Sequence, residues 1–190
     1  MRKFTVFILA LVLMLLPMGC KDASYPGNDA PSEHAGADSS ERVEAVSTAN
    51  DFVLTLHADK DTYSTDEAIH IGATLEYVGQ KEKITIWHGL PYIVFSITDG
   101  ADFNVNGIIQ TVLTSSVLYK GEQYHFDYVK SGGYDPDAPD GAFWESFFQE
   151  KELRLPAGTY TISADGAFYL SDRQHADEKG PSCQLKITVE

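Results

Sequence analysis

From Asp51 to Glu190 the apolar positions recur at every second residue. In Phe52-Val53-Leu54-Thr55-Leu56-His57, Phe52, Leu54 and Leu56 share one face; between Ile69 and Tyr77, Ile69, Ile71, Ala73, Leu75 and Tyr77 do the same, with polar partners opposite. A period of two sends one face to a core and the other to water, which is the pattern of a half-buried antiparallel strand. Further strands are predicted over 83–88, 92–98, 108–113, 117–119, 124–130, 159–164 and 183–189. Turn chemistry separates them at Val78-Gly79-Gln80-Lys81, Asp99-Gly100, Lys120-Gly121-Glu122 and Pro156-Ala157-Gly158.

Seven to nine short strands with hardly any helical period predict an all-β fold, because two packed antiparallel sheets bury such alternating faces best. The expected architecture is an immunoglobulin-like sandwich. One helix is predicted, over 141–150, where Phe143, Trp144, Phe147 and Phe148 fall at i, i+1, i+4 and i+5 after Asp140 as N-cap candidate. Such a stripe either plugs an open flank of the sandwich or stands exposed as a docking surface. Tyr134, Phe143, Trp144, Phe147 and Phe148 are therefore the candidate partner-binding residues.

Upstream the pattern changes. Residues 21–50 are rich in Ala, Ser, Asp, Gly, Glu and Pro, with Tyr25, Val43 and Val46 as the sizeable apolar side chains. This composition predicts a flexible tether, with a weak helical turn near 40–46 and a root-mean-square span of about 30 Å. Before it, residues 1–19 carry Arg2 and Lys3, an apolar run from Phe4 to Leu16, then Pro17, Met18 and Gly19 ahead of Cys20. Spanning hydrocarbon takes about 20 apolar residues, so the run reads as a secretion signal and not as a permanent membrane helix. Ending on Gly19-Cys20, it resembles a bacterial lipoprotein signal; Pro17 and Met18 depart from that pattern and Leu16 stands one place early. The resemblance implies cleavage before Cys20, acylation of Cys20 and anchorage on the extracytoplasmic face of the cell membrane. Each buried CH₂ contributes about 0.8 kcal/mol, so two or three acyl chains hold a protein there without other membrane contact.

The domain organisation expected is thus a signal at 1–19, a lipidated N-terminus and linker at 20–50, and one sandwich domain at 51–190. The formal net charge of −14 becomes −16 once Arg2 and Lys3 are removed. No Lys/Arg cluster offsets it, which excludes tracking a phosphate backbone and argues against electrostatic adsorption to anionic lipid. Nucleic acid is not an expected partner.

Candidate chemistry is sparse. With Cys20 acylated, Cys183 has no disulfide partner and reads as a small buried apolar residue. His57 and His70 face each other if Leu56 pairs with Ile71, but no third ligand follows at a defined spacing, and solvated surface is the expected outcome. His88 and His125, in strands beside aromatics, read as structural, and His34 as solvent-exposed. The stretch Ser131–Gly141 holds Asp135, Asp137 and Asp140 among glycines and prolines, yet Pro139 and Asp140 occupy the fifth and sixth places where a calcium loop needs an acid and a glycine. No HExxH, nucleophile elbow or phosphate-cradling glycine loop is present. No cofactor, metal or catalytic residue is expected.

Asp59-Lys60-Asp61-Thr62-Tyr63, Glu67-Ala68-Ile69-His70-Ile71, Leu118-Tyr119-Lys120-Gly121-Glu122 and Leu155-Pro156-Ala157-Gly158-Thr159-Tyr160-Thr161-Ile162 together resemble the BsuPI-type intracellular proteinase inhibitor family. That resemblance implies an immunoglobulin-like domain and raises inhibition as a function, although a secretion signal conflicts with an intracellular role. The leading expectation is a non-enzymatic, lipid-anchored module that binds a protein, cell-wall component or small ligand through 131–148 or its sheet edges. The alternatives are a proteinase inhibitor docking 131–139, and an enzyme or metal-dependent protein whose constellation forms only on folding.

Overall fold

The computed structural model describes residues 42–172 and 179–190. The signal, Cys20, and residues 20–41 of the expected tether lie outside the described residues. What is described is an all-β sandwich with one helix. One sheet has the order β1 (Val43–Ala49), β2 (Phe52–Ala58), β4 (Ile71–Tyr77), β8 (Gln123–Asp127). The other runs β3 (Thr62–Tyr63), β10 (Ser182–Val189), β9 (Gly158–Tyr169), β5 (Lys83–Thr98), β6 (Asn104–Asn106), with β7 (Gln110–Tyr119) paired to β5 beside β6. All pairings are antiparallel except β3 with β10.

The period-two faces behave as read. Phe52, Leu54 and Leu56 are buried from one sheet and meet Ile86, Ile97, Ile162 and Ile187 of the other within a single core. After β2 in one sheet the chain crosses over and lays β3 parallel to the last strand of the other. Tyr63 fixes this crossing: its hydroxyl donates to Asp59 Oδ1 at 2.5 Å and accepts from the Lys60 backbone N–H at 2.9 Å. On β9, Tyr160 is buried and donates its hydroxyl to the Pro156 carbonyl four residues back at 2.8 Å. This is the tyrosine-corner arrangement, in which the ring fills the core and the hydroxyl satisfies the corner peptide. Strand order and corner are compatible with an immunoglobulin-like sandwich.

Ten strands are described where seven to nine were expected, and the differences have physical causes. The segments expected as 83–88 and 92–98 are one strand, β5, continuous through an irregularity between His88 and Ile93 that contains the cis Leu90–Pro91 bond. Segments 108–113 and 117–119 likewise merge into β7. The expected tether ends earlier than Asn50, because Val43–Ala49 is a strand and not a linker or helical turn. Asn50 and Asp51 both adopt positive φ, 51° and 66°, giving a two-residue hairpin of the type that matches strand twist and pairs Ala49 with Phe52. Asn50 also donates from Nδ2 to the Lys179 carbonyl at 2.8 Å. The sandwich therefore begins at β1, eight residues before Asp51 if counted from Val43.

Candidate functional site

The helix α1 (Gly141–Gln149) ends one residue before its predicted limit. Its stripe divides by depth. Phe147 is 5% exposed and belongs to the core, Trp144 and Phe148 are half-buried, and Phe143 is 42% exposed. The platform beneath them is Phe103, whose ring lies 5.2 Å from Trp144, 5.6 Å from Phe147 and 5.3 Å from Tyr160 between centroids. Phe103 was not singled out from sequence, since it falls between strands. The signal was the preceding Asp99: its Oδ1 accepts from the Ala101 and Phe103 backbone N–H groups at 2.8 and 3.1 Å, closing a turn that aims Phe103 inward.

The expected core plug is therefore present in Phe147, and Phe143 stands exposed as the rim of the same helix. Lys130 secures the plug, donating from Nζ to the Phe147 carbonyl at 2.6 Å while lying 4.6 Å above that ring. Burial lowers its pKa.

Tyr134, 38% exposed, stacks on Phe148 at 6.2 Å and 14° between ring planes. The loop that carries it is pressed against α1 at two glycines. A Cβ at Gly132 would meet the Phe148 ring at 2.6 Å, and one at Gly141 would meet the Asp135 and Pro136 carbonyl oxygens at 2.7 Å. Between this loop, α1 and the edge strand β6 opens a cleft of about 440 Å³, lined by Tyr134, Trp144 and Phe148 together with the polar Asn104, Asn106 and Asp135. It thus combines ring faces with amide and carboxylate groups, a mixture suited to a ligand that is apolar on one side and hydroxylated or amidic on the other.

The acidic loop is built by internal turns. Asp135 accepts the Asp137 backbone N–H on Oδ1 at 3.0 Å and the Ala138 N–H on its carbonyl at 3.2 Å. Asp140 occupies the N-cap position but makes no side-chain cap bond; its carboxylate instead accepts the Trp144 indole N–H at 2.7 Å. Among the described residues no three His, Cys, Asp or Glu side chains are arranged to hold a metal ion.

The histidines divide differently from expectation. β2 pairs with β4 two residues further along than Leu56 against Ile71: Ala58 meets Ile71 and His57 meets Gly72, so His57 and His70 do not face each other. A two-residue slip keeps every side chain on its expected face and changes only the partner. The His57 ring covers Gly72, where a Cβ would lie 2.7 Å from Nε2, and its Nδ1 is buried without a hydrogen-bond partner. Burial lowers its pKa. His57 and His70 nonetheless border one cleft of about 440 Å³ with Asp59, Asp127 and Lys130. His88 is the structural residue expected: its Nδ1 lies 2.5 Å from the Gly89 carbonyl, Nε2 lies 2.8 Å from Ser116 Oγ, and its ring packs 4.7 Å from Tyr92. His125 is exposed, with Nδ1 3.2 Å from Thr74 Oγ1. Cys183 is buried, its Sγ 3.8 Å from the Leu54 carbonyl, and burial pushes the thiol up and away from a reactive thiolate.

No family model and no curated protein matches this chain. Among solved structures, a β-glucosidase from Erythrobacter marinus aligns with 77% of this chain and 16% of its own, at 14% identity and a TM-score of 0.37. A likeness of that size carries no argument about function.

Proposed function

We propose that the protein is a non-enzymatic binding module, lipid-anchored through Cys20 on the extracytoplasmic face of a cell membrane, that engages a protein or cell-wall partner through its 131–148 region. The observation that supports this reading is the pairing of depth and exposure on α1: Phe147 fixes the helix in the core, Phe143 remains 42% exposed on the same helix, and Tyr134, 38% exposed, lines the cleft with Trp144 and Phe148. Half-exposed aromatics on a rigid base supply contact area at little cost in conformational entropy. Co-sedimentation with purified wall sacculi and with membrane-protein fractions of the source envelope tests it. The wild-type chain from Lys21 is expected to bind and the Tyr134→Ala/Phe143→Ala double variant to bind at least tenfold more weakly; equal binding by both sinks the assignment of this surface.

A proteinase inhibitor is the second reading, favoured by the exposure of residues 132–137 and by their bracing through Asp135. An inhibitory loop has to be both accessible and stiff. A panel of serine, cysteine and metalloproteases separates the two, since a binding module leaves all of them active at micromolar concentration.

A further inference from the structure

We infer that β7 is a dimerisation edge, at which two copies of the chain pair antiparallel across a two-fold axis through Ser115. Exposed large apolar residues concentrate on this strand and its lead-in: Ile108, Ile109, Val112, Leu113, Val117 and Tyr119. β7 pairs with β5 on one side, and among the described strands nothing pairs with its other side. A long, flat, apolar edge is what monomeric proteins normally avoid by shortness, charge or proline. The other outer strands conform: β3 and β6 have two and three residues, β1 carries Glu44, and β8 carries Asp127. β7 has ten residues and neither charge nor proline.

Charge and symmetry point to a second copy as the occupant. In a chain of net charge −14, residues 108–119 carry none, so copies meeting there escape the repulsion they would meet on acidic surface. Centring the axis on Ser115 places Leu113 opposite Val117 of the second copy, on the outward face where both are exposed; Tyr119, whose backbone N–H donates to the Tyr124 hydroxyl at 2.9 Å, marks the end of the free edge. Directly opposed apolar pairs are the units that stabilise an antiparallel seam. An isologous contact of this kind closes on itself and leaves no free edge to propagate. One strand per copy buries less than the roughly 1,600 Å² of a standard interface, so association in the micromolar range is expected.

Sedimentation velocity on the chain from Lys21 to Glu190 tests this across about 1–500 µM. A monomer–dimer equilibrium is expected, tightening with added salt as like-charge repulsion is screened. Val117→Lys is expected to weaken it by about tenfold or more, whereas Val46→Lys, an exposed apolar position on β1, leaves it unchanged; both sites are outward-facing, and circular dichroism checks that both variants fold. The register is read by cysteine crosslinking under mild oxidation. Ser115→Cys is expected to form a disulfide-linked dimer because the axis brings the two residues 115 within bridging distance, while Leu113→Cys is not. A monomer throughout the range overturns the proposal and leaves the edge to an extended strand of another protein. A dimer indifferent to Val117→Lys, or crosslinked through 113 and not 115, overturns it as well.

Discussion

The indole N–H of Trp144 donates to the Asp140 carboxylate at 2.7 Å, so the side chain that opens α1 serves the aromatic stripe four positions on, while the Asp140 carbonyl accepts the backbone N–H groups of Phe143 and Trp144 at 3.0 and 3.2 Å. Removing the carboxylate then strands a half-buried indole donor. Asp140→Ala is expected to lower stability by about 1–2 kcal/mol, and Asp140→Asn, which keeps an acceptor, by less. Urea denaturation measures both. In a Trp87→Phe background the emission of Trp144 should shift to the red in the alanine variant alone.

Depth along the stripe sorts the next pair of substitutions. Phe147→Ala opens a cavity in the core beside Phe103 and should cost about 3–5 kcal/mol. Phe143→Ala removes a rim ring and should cost under about 1 kcal/mol while weakening partner binding. Similar urea midpoints for the two would contradict the division of α1 into plug and rim.

Alkaline titration probes Tyr128, whose hydroxyl is buried without a hydrogen-bond partner and is pushed up to about 12 by burial from an ordinary 10.0. The fold holds the neutral phenol, so this contribution to stability is complete below pH 10 and is lost as pH rises through 12. Tyr128→Phe removes an unpartnered hydroxyl. It should be neutral or up to about 1 kcal/mol more stable at pH 7, with a shallower decline between pH 10 and 12. Identical alkaline profiles would rule out the buried phenol as a cause.

On the acid side His57 acts with the opposite sign. Burial lowers its pKa beneath 6.5, so the fold holds the neutral imidazole; its contribution is present above pH 6.5 and is lost as pH falls through the lowered value. Thermal unfolding from pH 7.5 to 5 should show a loss that His57→Gln reduces.

These tests also mark how far the sequence could be read. Alternation alone located β2, β4, β9 and β10, and the Pro156-Ala157-Gly158 corner with Tyr160 was legible because φ-restricted, small and aromatic residues each have one use there. β1 was hidden by composition: its outward positions are Glu44, Val46 and Thr48, and its half-buried ones include Ala45, Ser47 and Ala49, so little marks an apolar face. Its signal was the Asn50-Asp51 turn that joins it to β2. Register between β2 and β4 was not legible, since two settings that differ by two residues bury the same faces. In the site, α1 and its stripe were readable from period and spacing, whereas Phe103 and the Asn104–Asn106 wall of the cleft depend on a long-range placement of β6 against the 131–140 loop that no local pattern encodes.

The measurement that bears most directly on the account is intact and peptide mass spectrometry of the protein purified from its native envelope. A chain starting at Cys20 and carrying diacylglycerol and acyl mass on that residue is the result expected. An intact leader, or an unmodified Cys20, would contradict the anchored module and remove the reason to look for its partner at the cell surface.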